Sequence, residues 1–366
     1  MARLRRADCS GPGITRRRRG RGFEYFTSGG EKVTDPEILL RIQQLAIPPA
    51  WKDVWICPHA NGHLQAVGTD AAGRRQYLYH EQWRAQKDRE KFDTMLEFAR
   101  SLPAMRGRIA AALQSDGLGR ERVLACAVRL LDLGFFRVGS EAYAEENETY
   151  GVATILKSHV KLNRNGEITF DYAAKGGTRR IQSIVDEPVY EVVRRLKLRR
   201  GGGPELLAYK EGGRWIDVRS SDINEHVKLL TQGDFSAKDF RTWNATVLAA
   251  VALAVSGGAA SSSTARKRAK ARVVQEVAHY LGNTPAVCRK SYIDPRVFDR
   301  YDSGWTIAGA LDEIGESAGF GELSTQGAVE HAVIDLIEDR RSSPAVARID
   351  PSYGAPDRPL GDGRVA

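Results

Sequence analysis

Between residue 23 and about residue 80, apolar residues fall mainly in short runs bounded by turn residues, as β-strands do. The exception follows Asp35-Pro36, where an N-capping Asp and a Pro suited to the first helical turn precede apolar residues at helical spacing. Apolar runs at 54–57 and 64–67 flank Asn61-Gly62, a pair preferred in type I′ hairpin turns, and another strand pattern covers 75–79. The pattern predicts a small sheet with one helix.

From about residue 89 the spacing of apolar residues becomes helical. A strong amphipathic helix is expected over 120–134, and two helices separated by Pro103 precede it. A second β region at 160–185 has hairpin turns at Asn165-Gly166 and Gly176-Gly177. The fold class is therefore α+β, with a small β-rich N-terminal domain and a larger, mainly helical domain that contains a small embedded antiparallel sheet. Further helices are expected from Asp186, from the capping box at Asp222 and Glu225, and over 240–255, 266–281 and 328–341.

Composition divides the chain into four parts. Residues 1–22 contain eight arginines and one acidic residue without apolar periodicity, which indicates a disordered basic arm. Two folded domains are expected over 23–88 and 89–310. Residues 311–366 form an acidic C-terminal tail that we expect to be partly disordered.

Charge is unevenly distributed along the chain. The sequence has 55 Lys and Arg residues against 46 Asp and Glu residues, but from residue 302 onward 12 residues are acidic and 5 are basic. Residues 1–301 therefore have a net charge of +16. This excess favours a polyanionic partner, most often nucleic acid, although ordinary solubility is the alternative explanation.

Several classes of protein are excluded by the sequence. The longest apolar stretch, 245–255, is too short to cross a bilayer, and the arginine-rich N-terminus lacks the apolar segment of a secretory signal. The four cysteines are widely spaced, as in proteins of a reducing cytosol, so we expect a cytoplasmic protein without a membrane partner. A metal site at Cys57, His59 and His63 competes with the other candidates, but the two histidines flank a turn and have no acidic neighbour.

Five short stretches contain the residue types that phosphate chemistry requires. They are F-R-V-G at 136–139, K-G-G at 175–177, K-D-F-R-T-W at 238–243, L-G-N-T at 281–284 and S-Y at 291–292. In this order they resemble the active-site motifs of type IB DNA topoisomerases, in particular the compact viral and bacterial branch. Residues 47–51 and 68–79 also resemble the DNA-clamping cap of that family, so the resemblance spans about residues 23–300. Each motif is weak alone, but five in order together with the cap are specific.

The resemblance implies an enzyme that relaxes supercoiled duplex DNA by cutting one strand, letting it swivel and resealing it. Tyr292 would attack a phosphodiester and become joined to the DNA 3′-phosphate, while Arg137 and Arg241 stabilise charge on the nonbridging oxygens. Lys175 would protonate the leaving 5′-oxygen, with Lys238 as a helper. Because the covalent bond conserves the phosphodiester energy, neither ATP nor a metal or other cofactor is expected.

Asn283 departs from the commoner choice of the family, since many members have His at this position. An Asn side chain is uncharged, so the hydrogen bond it donates to a phosphate oxygen is the weaker, neutral kind. His279, one helical turn earlier, is the alternative donor. The spacing from L-G-N-T to Tyr292 favours Asn283 and leaves His279 as a packing residue.

The family match also implies a DNA-binding surface. Residues of the strand at 75–79 would meet the major groove, where Gln can pair with adenine and Tyr can pack on bases, although packing within the sheet is the alternative for one face. The basic run at 266–272 would line the DNA channel rather than form a merely solvated face. We expect the two domains to form a monomeric C-shaped clamp around duplex DNA, in a cytoplasmic, nucleoid-associated protein. The predicted DNA-binding residues are Arg74, Arg75, Gln76, Tyr77, Tyr79, Arg266, Lys267, Arg268 and Lys270.

Two other functions fit part of this pattern. A tyrosine recombinase or integrase uses the same chemistry, but that family has a helical N-terminal domain and an H-x-x-R motif, whereas here the N-terminal domain is β-rich and Lys238 stands three residues before Arg241. A nonenzymatic basic DNA-binding protein would need none of the five motifs. It would form no covalent adduct with DNA, which a gel test detects.

Overall fold

A computed structural model of the chain describes residues 3–256, 262–311 and 326–349. The chain divides into two compact units, residues Met1–Asp93 and Thr94–Ala366. The division falls inside one long helix, α2, which covers Glu81–Leu113. The α+β class is confirmed, since the first unit is rich in β-strands and the second is mainly helical with small antiparallel sheets.

The first unit is a five-stranded antiparallel sheet with one helix against it. Its strands are ordered β2-β1-β3-β4-β5. A core of small and branched apolar side chains, including Ile14, Ile42 and Ile56, fills the space between sheet and helix. The helix begins as predicted, because the Asp35 carboxylate accepts a hydrogen bond of 2.8 Å from the Glu37 N–H. The elements are β1 (Ile14–Arg19), β2 (Gly22–Phe26), α1 (Pro36–Gln44), β3 (Lys52–Ile56), β4 (Leu64–Thr69) and β5 (Arg75–Tyr79).

The arginine-rich segment differs from the disordered arm expected over residues 1–22. Strand β1 pairs with β2 and β3, and its Ile14 is buried in the core. Arg16 occupies an inward position, where its guanidinium donates to the carbonyls of Pro48 and Trp51 at 3.0 and 2.8 Å. A strand of this kind lacks apolar periodicity because an arginine satisfied by backbone carbonyls stands where an apolar residue is usual.

The turn between β3 and β4 is not the predicted type I′ turn. The two strands do pair, but the Cys57 N–H bonds the Gln65 carbonyl at 2.9 Å, so a longer loop joins them. Neither Asn61 nor Gly62 has the positive φ that a type I′ turn needs. The Gln65 amide instead donates to loop carbonyls, at 2.6 Å to that of Gly62, and this stabilises the wider loop.

The second unit surrounds a three-stranded antiparallel sheet with helices. Large aromatic side chains, including Phe136, Phe170, Phe240 and Trp243, are fully buried in this unit, and Phe136 packs edge-on against Phe170 of the sheet. The sheet consists of β6, β7 and β8, in that order. The elements after α2 are α3 (Arg120–Leu133), α4 (Glu141–Asn147), β6 (Val160–Leu162), β7 (Glu167–Ala173), β8 (Arg179–Val185), α5 (Glu187–Leu198), β9 (Ala208–Glu211), β10 (Arg214–Asp217), α6 (Ser220–Thr231), α7 (Ala237–Val255), α8 (Ser263–Leu281), α9 (Pro285–Ser291), α10 (Pro295–Asp302), β11 (Trp305–Thr306), α11 (Ala328–Ile337) and β12 (Ala347–Arg348).

Two helix predictions in this unit are wrong. Pro103 does not separate two helices but lies inside α2, where it is exposed while Leu102 and Met105 are buried. Packing on both sides of the proline offsets a penalty of about 3 kcal/mol for proline inside a helix. Helix α6 begins at Ser220 rather than at Asp222, whose carboxylate accepts from the Arg219 N–H at 2.9 Å as the third helical residue.

Part of the expected acidic tail is integrated into the second unit. Helix α11 packs against α7 and α10, and its Glu330 is buried. The Glu330 carboxylate accepts from the Trp243 indole at 2.8 Å and from the Arg106 guanidinium at 2.5 Å. The prediction of disorder for 312–325 and 350–366 lies outside the described residues. Over the ranges that the structure describes, no helix is both long enough and apolar enough to cross a membrane.

Candidate active site

The five motifs meet in the second unit. Arg137, Lys175, Lys238, Arg241 and Tyr292 line one cleft of about 270 Å³. Beside it is a larger groove of about 1250 Å³, and its lining includes Asn283 together with Arg137, Lys175 and Tyr292. The structure therefore brings all six predicted catalytic side chains to adjoining cavities, although 155 positions separate the first from the last in sequence.

Lys175 stands at the tip of the hairpin between β7 and β8. Lys175 lies in a turn that is closed by a hydrogen bond of 2.9 Å from the Gly177 N–H to the Ala174 carbonyl. Gly176 and Gly177 have φ values of +82° and +73°, which residues with a side chain rarely adopt. The two glycines thus reverse the chain tightly and leave the Lys175 ammonium exposed at the edge of the cleft.

Tyr292 ends helix α9, which starts at the N-cap Thr284 and has Pro285 in its first turn. Its backbone carbonyl accepts from the Thr246 hydroxyl at 3.2 Å, and the Arg241 guanidinium lies 5.4 Å from the centre of its ring. Burial raises the pKa of the Tyr292 phenol, but Arg241 and Arg137 outweigh burial and hold this pKa below its ordinary value. The phenolate, which is the nucleophilic form, is therefore stabilised.

Arg241 is a buried cation, with 4% of its surface exposed. Its guanidinium donates to the carbonyls of Phe135 at 2.7 Å and Leu281 at 2.8 Å. Burial, and then repulsion by Arg137, lower the pKa of Arg241 to about 10. The group is still cationic at neutral pH, and it is held by two carbonyls rather than neutralised by a carboxylate.

Arg137 and Asn283 bond each other. The Arg137 guanidinium donates to the Asn283 Oδ1 at 2.5 Å and to the Gly282 carbonyl at 3.2 Å. The Asn283 Nδ2 has no hydrogen-bond partner within the described parts of the chain. The Asn283 amide therefore keeps a buried, unused donor next to the Arg137 guanidinium, in the lining of the larger groove. The competing His279 also lines the larger groove.

Comparisons with known proteins identify the family of the chain. A family profile described as "Eukaryotic DNA topoisomerase I, catalytic core" matches residues 80–313, and one described as "Bacterial DNA topoisomerase IB, N-terminal domain" matches residues 22–70. The DNA topoisomerase 1B of Acanthamoeba polyphaga mimivirus is 30% identical over 298 residues, which cover 80% of this chain and 88% of the viral protein. The chain belongs to the type IB DNA topoisomerases.

Two further relatives place this topoisomerase within the family. The DNA topoisomerase 1B of Vaccinia virus (strain Copenhagen) is 21% identical over 262 residues, 70% of this chain and 80% of the viral protein. The DNA topoisomerase 1 beta of Arabidopsis thaliana is 28% identical over 168 residues, which cover 45% of this chain but only 17% of the plant protein. The chain thus matches the compact viral relatives over most of their length, and it is an isomerase of DNA topology.

The residues predicted to meet the major groove do not share one face of β5. Tyr77 and Tyr79 are 45% and 39% exposed, and their rings stack with centroids 6.2 Å apart. Gln76 lies on the opposite face, where its amide donates to the Asp70 carboxylate at 2.9 Å. Arg74 forms an ion pair with the same carboxylate, while Arg75 is exposed. Of this set, Arg74, Arg75 and the two tyrosines are exposed, and Arg74 is held by its ion pair with Asp70.

The basic run on α8 also divides. Lys267 and Arg268 are exposed, whereas Arg266 is half-buried. The Lys270 ammonium forms an ion pair with Asp302 of α10, and its side chain is 14% exposed. Lys270 therefore links two helices of the topoisomerase, and Lys267 and Arg268 are the accessible cations of the four predicted.

The competing metal candidate has other contacts. The His63 Nδ1 accepts a hydrogen bond of 3.0 Å from the Ala7 N–H, and its ring lies edge-on to Trp83 at 4.8 Å. In the part of the chain that the structure describes, no group of three or more His, Cys, Asp or Glu side chains is arranged to hold a metal ion.

Two residues of the site have no signal in the sequence motifs. The Thr246 hydroxyl of α7 accepts from the Asp294 N–H at 3.2 Å and lies within hydrogen-bond distance of the carbonyls of Thr242, at 2.9 Å, and Tyr292, at 3.2 Å. It therefore lies against the backbone that directly follows Tyr292. Arg180 of β8 lines the larger groove with Arg137 and Lys175. No sequence motif includes Arg180. Its place in the groove follows from the strand register, which pairs it with the buried Tyr172.

Proposed function

We propose that this topoisomerase relaxes supercoiled duplex DNA through a transient bond between Tyr292 and a DNA 3′-phosphate. The observation that carries the proposal is that Arg241 lies 5.4 Å from the centre of the Tyr292 ring, that Arg137 lines the same cleft, and that both lower the pKa of this tyrosine. Phosphoryl transfer needs little beyond positioning and stabilisation of charge, and two guanidiniums beside an oxygen nucleophile supply both.

The cleavage step assigns one role to each side chain. The Tyr292 oxygen, once deprotonated, forms a bond to phosphorus while the bond from phosphorus to the 5′-oxygen breaks. Arg137, Arg241 and the free Asn283 Nδ2 stabilise the nonbridging oxygens of the five-coordinate transition state. Lys175, exposed on its hairpin, gives a proton to the departing 5′-oxygen, and Lys238 assists from the first turn of α7.

Resealing reverses these steps after the cut strand has swivelled. The 5′-hydroxyl attacks the phosphotyrosine, and Tyr292 leaves as a phenolate whose lowered pKa makes it a better leaving group. The phosphodiester energy stays in the covalent intermediate, so relaxation proceeds without ATP, and the fixed cations make a divalent metal unnecessary. We further propose that a monomer encloses the duplex as a C-shaped clamp in the bacterial nucleoid.

The decisive experiment is relaxation of a supercoiled plasmid in EDTA without ATP, with detergent added to trap the covalent adduct. The wild-type protein is expected to relax the plasmid and to become covalently joined to DNA. Tyr292→Phe is expected to lose both activities but keep DNA binding, because one oxygen is removed and the basic surface is intact. A strict Mg²⁺ requirement for cleavage, or an adduct with the Phe variant, contradicts the proposal.

A further inference from the structure

The carboxyl end of helix α8 is held by three arginines. Its last carbonyls, at 279–281, and that of the C-cap Gly282 carry partial negative charge, and the His279 carbonyl also accepts the Gly282 N–H at 3.1 Å. Arg180 donates to the first two, at 3.2 and 2.6 Å, Arg241 donates to the third at 2.8 Å, and Arg137 donates to the fourth at 3.2 Å. Four successive carbonyls thus receive guanidinium N–H groups, two of them from the proposed phosphate ligands.

Arg180 belongs to the same hairpin as the proposed general acid. It lies on β8 directly opposite Tyr172 of β7, and Lys175 is at the tip between these strands. Its contact with α8 therefore ties the Lys175 hairpin to the helix end that presents Asn283. Burial and the neighbouring Arg137 lower the pKa of Arg180, while the Tyr172 phenol opposes this shift.

The glycine at the end of α8 makes room for this contact. Gly282 has a φ of +60°, and a Cβ at this position would lie 3.0 Å from the Arg180 guanidinium. Arg180 therefore passes over the backbone at the turn that leads from α8 to Asn283. A side chain at this position would therefore push the Arg180 guanidinium away by a few tenths of an ångström, in addition to the strain from the positive φ.

We propose that Arg180 is a positioning residue for the cleavage step, an inference that rests on the function proposed above. By occupying the carbonyls at 279 and 280, Arg180 leaves Arg241 and Arg137 only the next two. Without it, either guanidinium can move to a vacated carbonyl, and one residue along a helix is a displacement of about 1.5 Å. A shift of this size at a reacting centre slows a reaction by roughly 10²-fold. The hairpin also loses its link to α8, which moves Lys175 away from the leaving oxygen.

The test compares single-turnover cleavage of DNA with an ordinary 5′-oxygen and with a 5′-bridging sulfur, which leaves without needing a proton. Lys175→Ala is the reference variant. It is expected to cleave the 5′-oxygen DNA much more slowly than wild type does, and the 5′-sulfur DNA only slightly more slowly. Arg180→Gln is expected to cleave ordinary DNA at least roughly tenfold more slowly than wild type and to recover part of this loss on sulfur. A lysine reaches one carbonyl at a time, so the cleavage rate of Arg180→Lys is expected to lie between that of wild type and that of Arg180→Gln.

Arg179→Gln is the matched control, because it removes the same charge from the adjacent position of β8. The Arg179 guanidinium bonds the Asp171 carboxylate at the surface rather than α8, so its loss should change the cleavage rate by no more than about twofold. Rates at saturating enzyme, with DNA affinity and melting temperature measured alongside, separate positioning from binding and folding.

Several outcomes overturn the inference. Equal slowing of Arg180→Gln on both substrates would make Arg180 a merely structural residue. A defect confined to DNA affinity, or one that Arg179→Gln shares, would make it an ordinary phosphate contact. If the wild-type protein forms no covalent adduct with DNA, the proposed function itself fails. Adduct formation by wild type together with one of the other outcomes means that only the inference about Arg180 fails.

Discussion

At the scale of single residues, the site keeps its cations unneutralised. Arg241 and Arg137 bond backbone carbonyls and an amide oxygen, and within the described part of the chain neither forms an ion pair with a carboxylate. Carbonyls orient a guanidinium without cancelling its charge, so the full cation remains available to a phosphate. Elsewhere in the second unit the half-buried Arg106 is paired with Asp132 and Glu330, which is the usual arrangement for structural arginines.

The first prediction concerns the unused donor of Asn283. Asn283→Ala is expected to slow single-turnover cleavage by roughly 10²-fold, the size expected for loss of one oxyanion donor. Asn283→His should retain substantial activity, because an imidazole N–H can donate the same bond. Wild-type rates in the Ala variant would make Asn283 structural, and His279→Ala would then be the variant to measure.

The second prediction concerns the titration of Tyr292. Because its pKa is lowered, its phenolate should form at a lower pH than that of an ordinary tyrosine, and cleavage should rise with pH through that lower range. Carbon-13 NMR of labelled tyrosine rings checks this, with Tyr292→Phe identifying the signal. Lys238→Gln removes a contributing cation and should move the titration to higher pH. An unchanged titration in this variant would mean that Lys238 is too well solvated to act on the phenol.

At the scale of elements, the site is assembled from helix and hairpin ends. Arg137 follows α3, Lys175 joins β7 to β8, Asn283 follows α8 and Tyr292 ends α9. The buried middles of these elements supply the rigidity, and the ends supply accessible side chains and free backbone groups.

The third prediction tests the end of α8. Gly282→Ala is expected to destabilise the protein by roughly 1 kcal/mol from its positive φ, and also to slow cleavage because the new Cβ displaces Arg180. Gly117→Ala is the control, since Gly117 has a φ of +77° and open space around it. Both variants should lose similar stability in chemical denaturation, but only Gly282→Ala should lose cleavage rate. A normal rate in Gly282→Ala would show that Arg180 can move without consequence.

At the scale of the whole molecule, chain beyond the nucleophile is part of the catalytic unit. Glu330 of α11 joins Trp243, two residues after Arg241, to Arg106 of α2. Asp132 of α3 accepts from the same guanidinium at 2.8 Å. This cluster therefore connects α11 to three helices: α2, α3, which precedes Arg137, and α7, which contains Arg241.

The fourth prediction measures the contribution of this cluster. Glu330→Ala leaves part of a buried charge uncompensated, so we expect it to lower the free energy of unfolding by about 3 kcal/mol in urea denaturation. Glu338→Ala, which removes a more exposed partner of Arg100 near the end of α11, should lower it by less than about 1 kcal/mol. Equal losses would mean that α11 is held by apolar contacts alone.

Local patterns in the sequence predict the elements with strong local signals and the six side chains that meet at the candidate active site. Helix α1 starts where Asp35 and Pro36 predict, and the hairpins at Gly166 and Gly176 form where glycine permits a positive φ. These features depend on a few neighbouring residues, so local patterns suffice to predict them.

The tertiary structure decided whatever depends on contacts between distant segments. An arginine-rich segment became β1 because carbonyls of another loop satisfy Arg16, and α2 continues through Pro103 because its buried face packs on both sides. It also decided that Arg180 meets the end of α8 and that Lys270 pairs with Asp302. The physical reason is the same in each case: a buried or bonded side chain is stabilised by partners that lie far away in the sequence.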